Sequence, residues 1–507
     1  MHIQTKKGRI RLKKTLIVLL TISTLLSMSS LARWRTFAMA NPNVIYVPTD
    51  FPKIQDAINN ATVGATVFVH SGTYYEDIIL NKSVSLVGEN RDSTVIYSVF
   101  AQYVITIPAS DASVSSFTIK NSNSASDGII ISSGHNITIC NDTIRDGHDG
   151  LIAYTSFGNH VSGNIIMNNS DFGIYLAFSS SNVISDNTIS NNKVSGLELA
   201  SSSTTNNVIS GNTISNNSVG VSLVVSHDNL FYHNNFANPT QVTSDSNNTW
   251  NYNGEGNHWS SYTGSDSNGD GIGDTPHNID ATDIDMYPLM GTFHDFQIPS
   301  GNVTYQVFVI SNSTVDGLTY EVGLETGNRI VHFEARDQNA TAGFCRLMIP
   351  TELMNLPYII LDSEGEIAFT LLKSSNETNS YLYFTYPSTN QTITAISSKT
   401  LQLYLQLSAN QTALLGYLGS LNSTYLGLLS NYTNLLDFFD QLQSSYLALN
   451  ASYQQHLSTD SETTQNLQNL IYIFAATTVI FLMTTVYLSR RGYTGPNKEG
   501  MPEGKSH

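Results

Sequence analysis

Four segments of the chain can be set beneath one another: NDTIRDGHDGLIAY from Asn141, GNIIMNNSDFGIYLA from Gly163, DNTISNNKVSGLELA from Asp186 and GNTISNNSVGVSLVV from Gly211. A glycine opening an apolar run recurs at Gly128, Gly150, Gly173, Gly196 and Gly220, with spacings of 22, 23, 23 and 24 residues. A polar residue recurs on its own column at Asp142, Asn164, Asn187, Asn212 and Asn234. A unit of that length, built of short runs with period-2 alternation, cannot bury its own apolar face. Stacked neighbours can, at about 4.8 Å per coil. The leucine and asparagine spacing of a leucine-rich horseshoe is missing. The solution left is an all-β, right-handed parallel β-helix in which the recurring Asp and Asn column stacks as a structural ladder between coils.

Both ends carry membrane signals. Residues 1–14 hold six basic residues and no acid, Thr15–Met28 is almost wholly apolar, and Ala38-Met39-Ala40 offers small residues for cleavage. This order reads as a secretory signal over 1–40, with an uncleaved anchor as the alternative. Leu470–Leu488 is uncharged and as a helix would rise about 28 Å, enough for a transmembrane helix over 470–489. Arg490 and Arg491 follow, which puts the 490–507 tail in the cytoplasm and the chain from Asn41 onward on the extracellular face. The formal net charge is -17 although both ends are basic, so the part between is strongly acidic and disfavours nucleic acid as a partner. Two distant cysteines, Cys140 and Cys345, exclude a disulfide framework.

The first coils are less regular. VIYVPTDFPKIQDAINNA reads as a strand and a short helix, with Asp50 as its N-cap and Pro52 in its first turn. Such a helix would cover the open end of the solenoid. The run FPKIQDAINNATVGATVFVHSGTYYEDIILNKSVSLVGE resembles the opening of NosD-like proteins and of carbohydrate-binding and sugar-hydrolase β-helices. Pectin methylesterases open similarly. The repeats and the segment NNTWNYNGEGNHWSSYTGSDSNGDGIGDTPHNIDATDIDMYPLM resemble archaeal NosD-like surface proteins over 41–290. The resemblance implies the fold and says little of activity.

Within that segment, DSNGDGIGD alternates oxygen donors with glycine and small residues. Asp266, Asn268 and Asp270 match the first, third and fifth ligands of an EF-hand-type loop, Ile272 its backbone carbonyl position and Asp274 its ninth. The twelfth position holds His277 in place of a bidentate glutamate, so the expectation is a looser structural calcium loop completed by Asp280, Asp283 or Asp285. A metal-free acidic turn is the alternative. Trp250 and Trp259 are expected to plug the last coil with Tyr252 and Tyr262, or else to offer a platform for sugar.

Asp127 and Asp149 each precede a repeat glycine and should stack one coil apart, with His148 and Asp171 in the neighbouring column. Two such carboxylates are candidate catalytic groups, as general acid and base on a glycoside or as calcium ligands for a lyase. Asp before Gly is also ordinary turn chemistry. Gly72-Thr73-Tyr74-Tyr75-Glu76 matches an early methylesterase segment, but the later glutamine and aspartate motifs of that family do not appear. The copper association of NosD-like proteins carries no residue over, since His, Met and Cys form no run and copper favours such donors.

From about 297 the repeat stops. Seven alternating runs up to 397 suggest a β-sandwich. From 400 to 466 leucines recur every seven residues from Leu407 to Leu449, with aromatics offset by three and four, as in a coiled-coil-like helical stalk that would allow a homo-oligomer. An intramolecular hairpin is the alternative. Nine of the sixteen asparagines in 300–507 are sequons: Asn302, Asn312, Asn339, Asn376, Asn390, Asn410, Asn422, Asn431 and Asn450. The reading is a membrane-anchored surface β-helix that binds extended polysaccharide or cell-envelope glycan as an adhesin or envelope component. Its rivals are a polysaccharide lyase or glycoside hydrolase and a copper-delivery accessory protein.

Overall fold

The computed structural model describes residues 43–98, 102–121, 126–336, 342–387, 390–457 and 463–491. The 1–40 signal, Asn339 and nearly all of the 490–507 tail lie outside them.

Short parallel strands stack into three faces of a prism. The first face has nine strands from Val44–Val47 to Leu230–Tyr232, the second nine from Gly72–Tyr75 to His258–Trp259, and the third eight from Ile78–Ile79 to Thr240–Ser244. Register brings like residues over one another. Ile139, Val161, Ile184, Ile209 and Phe231 form one inward column, and Ile144, Ile166, Ile189, Ile214 and Phe236 another. All ten are buried, each contributing about 1.5–3 kcal/mol by leaving water. The repeat glycines are needed because a Cβ at Gly150 or Gly173 would stand 2.5 Å from the carbonyl oxygen of the next coil's glycine.

The polar column forms a chain of hydrogen bonds along the prism axis. The N–H of Asp142 donates to Asn164 Oδ1, and the N–H and side-chain amide of Asn164 both donate to Asn187 Oδ1. The same pair of bonds runs on through Asn212, Asn234 and Asn257. Two further ladders occupy the other corners, from Asn159 through Asn182, Asn207 and Asn229 to Asn248, and from Asn169 through Asn192 and Asn217 to Asn238. The residue before a rung turns the corner with positive φ, as at Asn141, Asp186 and Asn191, or at Gly163 and Gly211. Two ladders end on aspartates that accept only: Asn248 N–H donates to Asp283, and Asn257 N–H to Asp285.

At the N-terminal end, helix α1 (Ile54–Asn60) buries Ile54, Ala57 and Ile58. Asp50 is not its cap. Asp50 accepts from Tyr46 N–H, whereas both carboxylate oxygens of Glu76 take the first helical N–H groups, of Ile54 and Gln55. The helix starts after Lys53, too far along for Asp50 to reach its free donors. At the other end Trp250 stacks on Phe231 at 4.3 Å and Trp259 on Phe236 at 4.4 Å. Both indoles are buried, which rules them out as an exposed sugar platform. Tyr262 packs against this core, whereas Tyr252 is half exposed.

Residues 292–397 form two five-stranded antiparallel sheets that share one apolar core, with Val309, Phe333, Cys345, Leu347 and Phe384 in it. Strands Thr292–Ser300 and Gln391–Ser397 extend the region beyond the seven runs legible in the sequence. The sheets join the prism through a buried polar link. His233 Nε2 lies 2.7 Å from Glu255, and Arg346 binds the same carboxylate and also donates to Asp270 O. Asn235 exchanges two hydrogen bonds with the backbone of Phe293.

Residues 403–507 form a separate unit. Helix α2 (Lys399–Leu457) carries its leucine and aromatic series exposed at Leu407, Leu414, Leu421, Leu428, Tyr425 and Tyr432. Helix α3 (Thr463–Arg491) includes Asn466–Arg490, long and apolar enough to cross a membrane. Phe438 meets Phe481 at 6.0 Å. Phe439, Leu442 and Tyr446 of α2 and Phe474 and Val479 of α3 line one apolar groove beside that contact.

Candidate functional site

The repeat places four chemistry-bearing side chains at the corner that leads into the third face. Asp127 opens the strand Asp127–Ser132, and its partner one coil on is the turn holding His148 and Asp149, with Asp171 a further coil along. Each buried carboxylate has a structural duty. Asp127 Oδ1 accepts Asp149 N–H at 3.0 Å and Asp149 Oδ1 accepts Phe172 N–H at 2.9 Å. Both side chains also face one imidazole: His148 Nδ1 stands 3.3 Å from Asp127 Oδ1 and 3.6 Å from Asp149 Oδ1, while Nε2 lies 3.7 Å from Asp171 Oδ2. The structure therefore gathers all four candidate catalytic residues, and it also gives the two buried aspartates the turn role that Asp-Gly suggests.

Burial dominates their electrostatics. Asp127 and Asp149 are 5% and 6% exposed, whereas the His148 side chain is 45% exposed. Burial raises the Asp127 carboxyl above its ordinary value, against the Asp149 N–H and His148. Asp149 is pushed up to about 6 by burial and by the Asp127 charge, against the Phe172 N–H and His148. Among the described residues, His148 is the one basic side chain paired with the three carboxylates.

Beyond this corner the third face carries a row in register from Ile130 through Ile152, Tyr175 and Glu198 to Ser222, in which Ile152 is buried and the others are partly exposed. Phe172 stacks on Tyr175 at 5.4 Å, and Tyr154 meets Phe178 edge to face at the opposite border. Both Tyr154 and Phe178 are about half exposed. Sequence reasoning missed these aromatics. Their signal is period 2 itself, since Tyr154 and Tyr175 fall on the outward positions of their strands.

The acidic loop is a tightly bonded turn. Asp266 Oδ1 accepts the N–H groups of Gly269 and Asp270, and its Oδ2 that of Gly271. Asp270 accepts from Ile272 N–H and Asp274 from Ser267 N–H. Asn268, Asp270 and Asp274 border a cleft of about 730 Å³ that Arg346 and Lys373 also line. The residues expected to complete a calcium site lie elsewhere. Asp283 and Asp285 are fully buried ladder ends, and Asp280 closes its own turn through the N–H groups of Thr282 and Asp283.

Of the sequons, Asn302, Asn376, Asn390, Asn410, Asn422 and Asn431 are exposed and Asn450 is partly so. Asn312 is committed: its side chain accepts Phe344 N–H and donates to Ala342 O.

With this geometry in hand, the match to known families is specific to the prism. Residues 58–264 match the family model described as periplasmic copper-binding protein (NosD). The β-helix is NosD-like. Among the described residues, Asp127, His148 and Asp149 form a compact group of possible ligand side chains. Solved structures with a similar chain trace include the Dettilon tailspike protein gp208, at 12% identity over 70% of this chain and 94% of that one, with a TM-score of 0.32. Pectin methylesterase PemA from Erwinia chrysanthemi matches at 16% identity over 41% of this chain and 80% of its own, with a TM-score of 0.27. Alginate lyase from Paenibacillus sp. str. FPU-7 matches at 11% identity over 40% and 93%, with a TM-score of 0.24. No curated protein matches the chain.

Proposed function

We propose that this NosD-like chain is an envelope-associated protein that holds extended polysaccharide along the third face of its β-helix. The observation that carries the reading is the row of Ile130, Tyr175 and Glu198, in register through the buried Ile152 and bordered by Asp127, His148, Asp149 and Asp171 on one edge and by the half-exposed Tyr154 and Phe178 on the other. Sugar rings present apolar C–H faces to aromatic side chains and hydroxyls to carboxylates, and a coil spacing of about 4.8 Å repeats such contacts along a glycan. The membrane-capable segment Asn466–Arg490 and the arginines after it support an anchor with an extracellular prism and a cytoplasmic C-terminus. The test is glycan-array binding by the full chain in detergent. Tyr175→Ala and Tyr154→Ala should each weaken binding several-fold without shifting Tm, and equal binding by wild type and both variants would overturn the assignment to this face.

A second reading is favoured by one observation. The carboxylates of Asp127 and Asp149, one coil apart, both face His148, and a pair of carboxyl groups is what glycoside hydrolysis uses as acid and base or nucleophile. Release of reducing ends or unsaturated uronates by wild type, abolished in Asp149→Asn, would make the protein a hydrolase or lyase. We also assign the Asp266–Asp274 loop as a weak structural calcium site in which Asn268, Asp270 and Asp274, which border the cleft, join Asp266 and the Ile272 carbonyl.

A further inference from the structure

The corner cluster has a geometry that turn chemistry does not require. An ionised carboxylate and an imidazolium that bond directly do so at about 2.7–2.9 Å. Here His148 Nδ1 stands back at 3.3 Å and 3.6 Å from two different carboxylate oxygens. Zinc bonds to nitrogen and carboxylate oxygen are about 2.0–2.2 Å, so two ligands on a tetrahedral ion stand about 3.4 Å apart. The two separations bracket that edge, and all three donor atoms lie within 4.8 Å of one another. A second feature is independent of this spacing. The far nitrogen of the same ring, Nε2, faces Asp171 Oδ2 at 3.7 Å, the position of the outer carboxylate that holds a metal-bound histidine in one tautomer. Nor is the charge balanced within the cluster. Two carboxylates more than nine-tenths buried point to one half-exposed histidine, and no lysine or arginine pairs with them among the described residues.

We propose that Asp127, His148 and Asp149 bind a divalent first-row metal ion of the zinc or manganese kind, with Asp171 as the positioning residue for the imidazole. Three protein ligands leave a coordination position open on the solvent side of His148, as in zinc sites that exchange water or substrate. One imidazole with two carboxylates and no sulfur suits zinc or manganese and does not select copper(I). The ligands come from consecutive coils, so the ion would clamp two turns of the prism together.

The test uses the full chain in detergent and zinc alone, with no glycan. After dialysis against zinc, wild type should retain one ion per chain more than His148→Ala, and cobalt substituted for zinc should give a visible absorption band that the variant lacks. His148 is half exposed, so the variant should keep its Tm in the absence of metal. Asp171→Asn should weaken zinc binding about 10–100-fold, and Asp266→Ala, in the distant loop, should leave it unchanged. Zinc retention by His148→Ala equal to wild type, or loss of that zinc in Asp266→Ala, would overturn the site. Zinc binding without glycan binding would leave the metal site standing and remove the polysaccharide reading.

Discussion

Asp142 is the one carboxyl on a column otherwise built of amides between Asn164 and Asn257. It is fully buried, its Oδ1 accepts Phe117 N–H, and its Oδ2 has no partner. Asn164 and Asn187 in the same position use a side-chain N–H to reach a carbonyl of the preceding coil, Ile139 O and Val161 O. Burial pushes the Asp142 carboxyl up to about 8, against the Phe117 N–H and the Arg91 charge. The folded chain therefore keeps a proton that the unfolded chain has lost, and stability falls as pH rises from about 4 to about 8. Asp142→Asn supplies the missing donor without a charge. It should stabilise the prism by about 1–3 kcal/mol at neutral pH, with little gain at pH 4 and the full gain above pH 8. Urea denaturation of both proteins at several pH values measures this, and a pH-independent difference would count against a neutral Asp142.

Between residues and whole faces, the unit that matters is the coil. Asn187→Ala removes an acceptor for two N–H groups of Asn164 and a donor to Val161 O, and should cost about 1–3 kcal/mol. Gly173→Ala should cost as much by another route, pressing a methyl group onto the Gly196 carbonyl. Thermal unfolding measures both, and an unchanged Tm in either would remove the role given to that column. In the loop, calcium should raise Tm for wild type but not for Asp266→Ala/Asp270→Ala, by about 1.4 kcal/mol at tenfold saturation. No change for wild type would leave a metal-free turn held by the carboxylates of Asp266, Asp270 and Asp274. The ladder through Asn187 was legible because its glycine neighbours repeat with it. The ladders through Asn182 and Asn192 were not, although doublets carry the signal of the second: in Asn168-Asn169, Asn191-Asn192 and Asn216-Asn217 the first residue turns with positive φ and the second is the rung. The site corner was legible for the same reason as the first ladder, since Asp127 and Asp149 share a register. The Glu76 cap on α1 was not, because it depends on which side chain of a later coil lies under the helix.

Across the molecule the prism and the paired sheets meet at Glu255. Burial raises its carboxyl, but the His233 hydrogen bond and the Arg346 charge outweigh that and hold it at about 2. Its contribution to stability is present above the ordinary glutamate range near pH 4.5 and is lost as pH falls toward 2. Glu255→Gln leaves Arg346, 6% exposed, without its partner and should cost about 3–5 kcal/mol at neutral pH. The loss should shrink as wild type is acidified, and calorimetry at pH 7 and pH 3 compares the two. No sequence pattern joins Glu255 to Arg346, 91 positions apart, because a contact between two modules leaves no period in either. The three ladders have a direction of their own. A rung donates its N–H forward to the side chain of the following coil, and Asp283 and Asp285 end two of the chains as pure acceptors. During synthesis, then, the newest coil always waits on residues still inside the ribosome, and it is completed only when the next has emerged. A chain cut short at any coil would expose a fresh row of unanswered donors to other chains, whereas the finished protein closes two of these rows with a carboxylate.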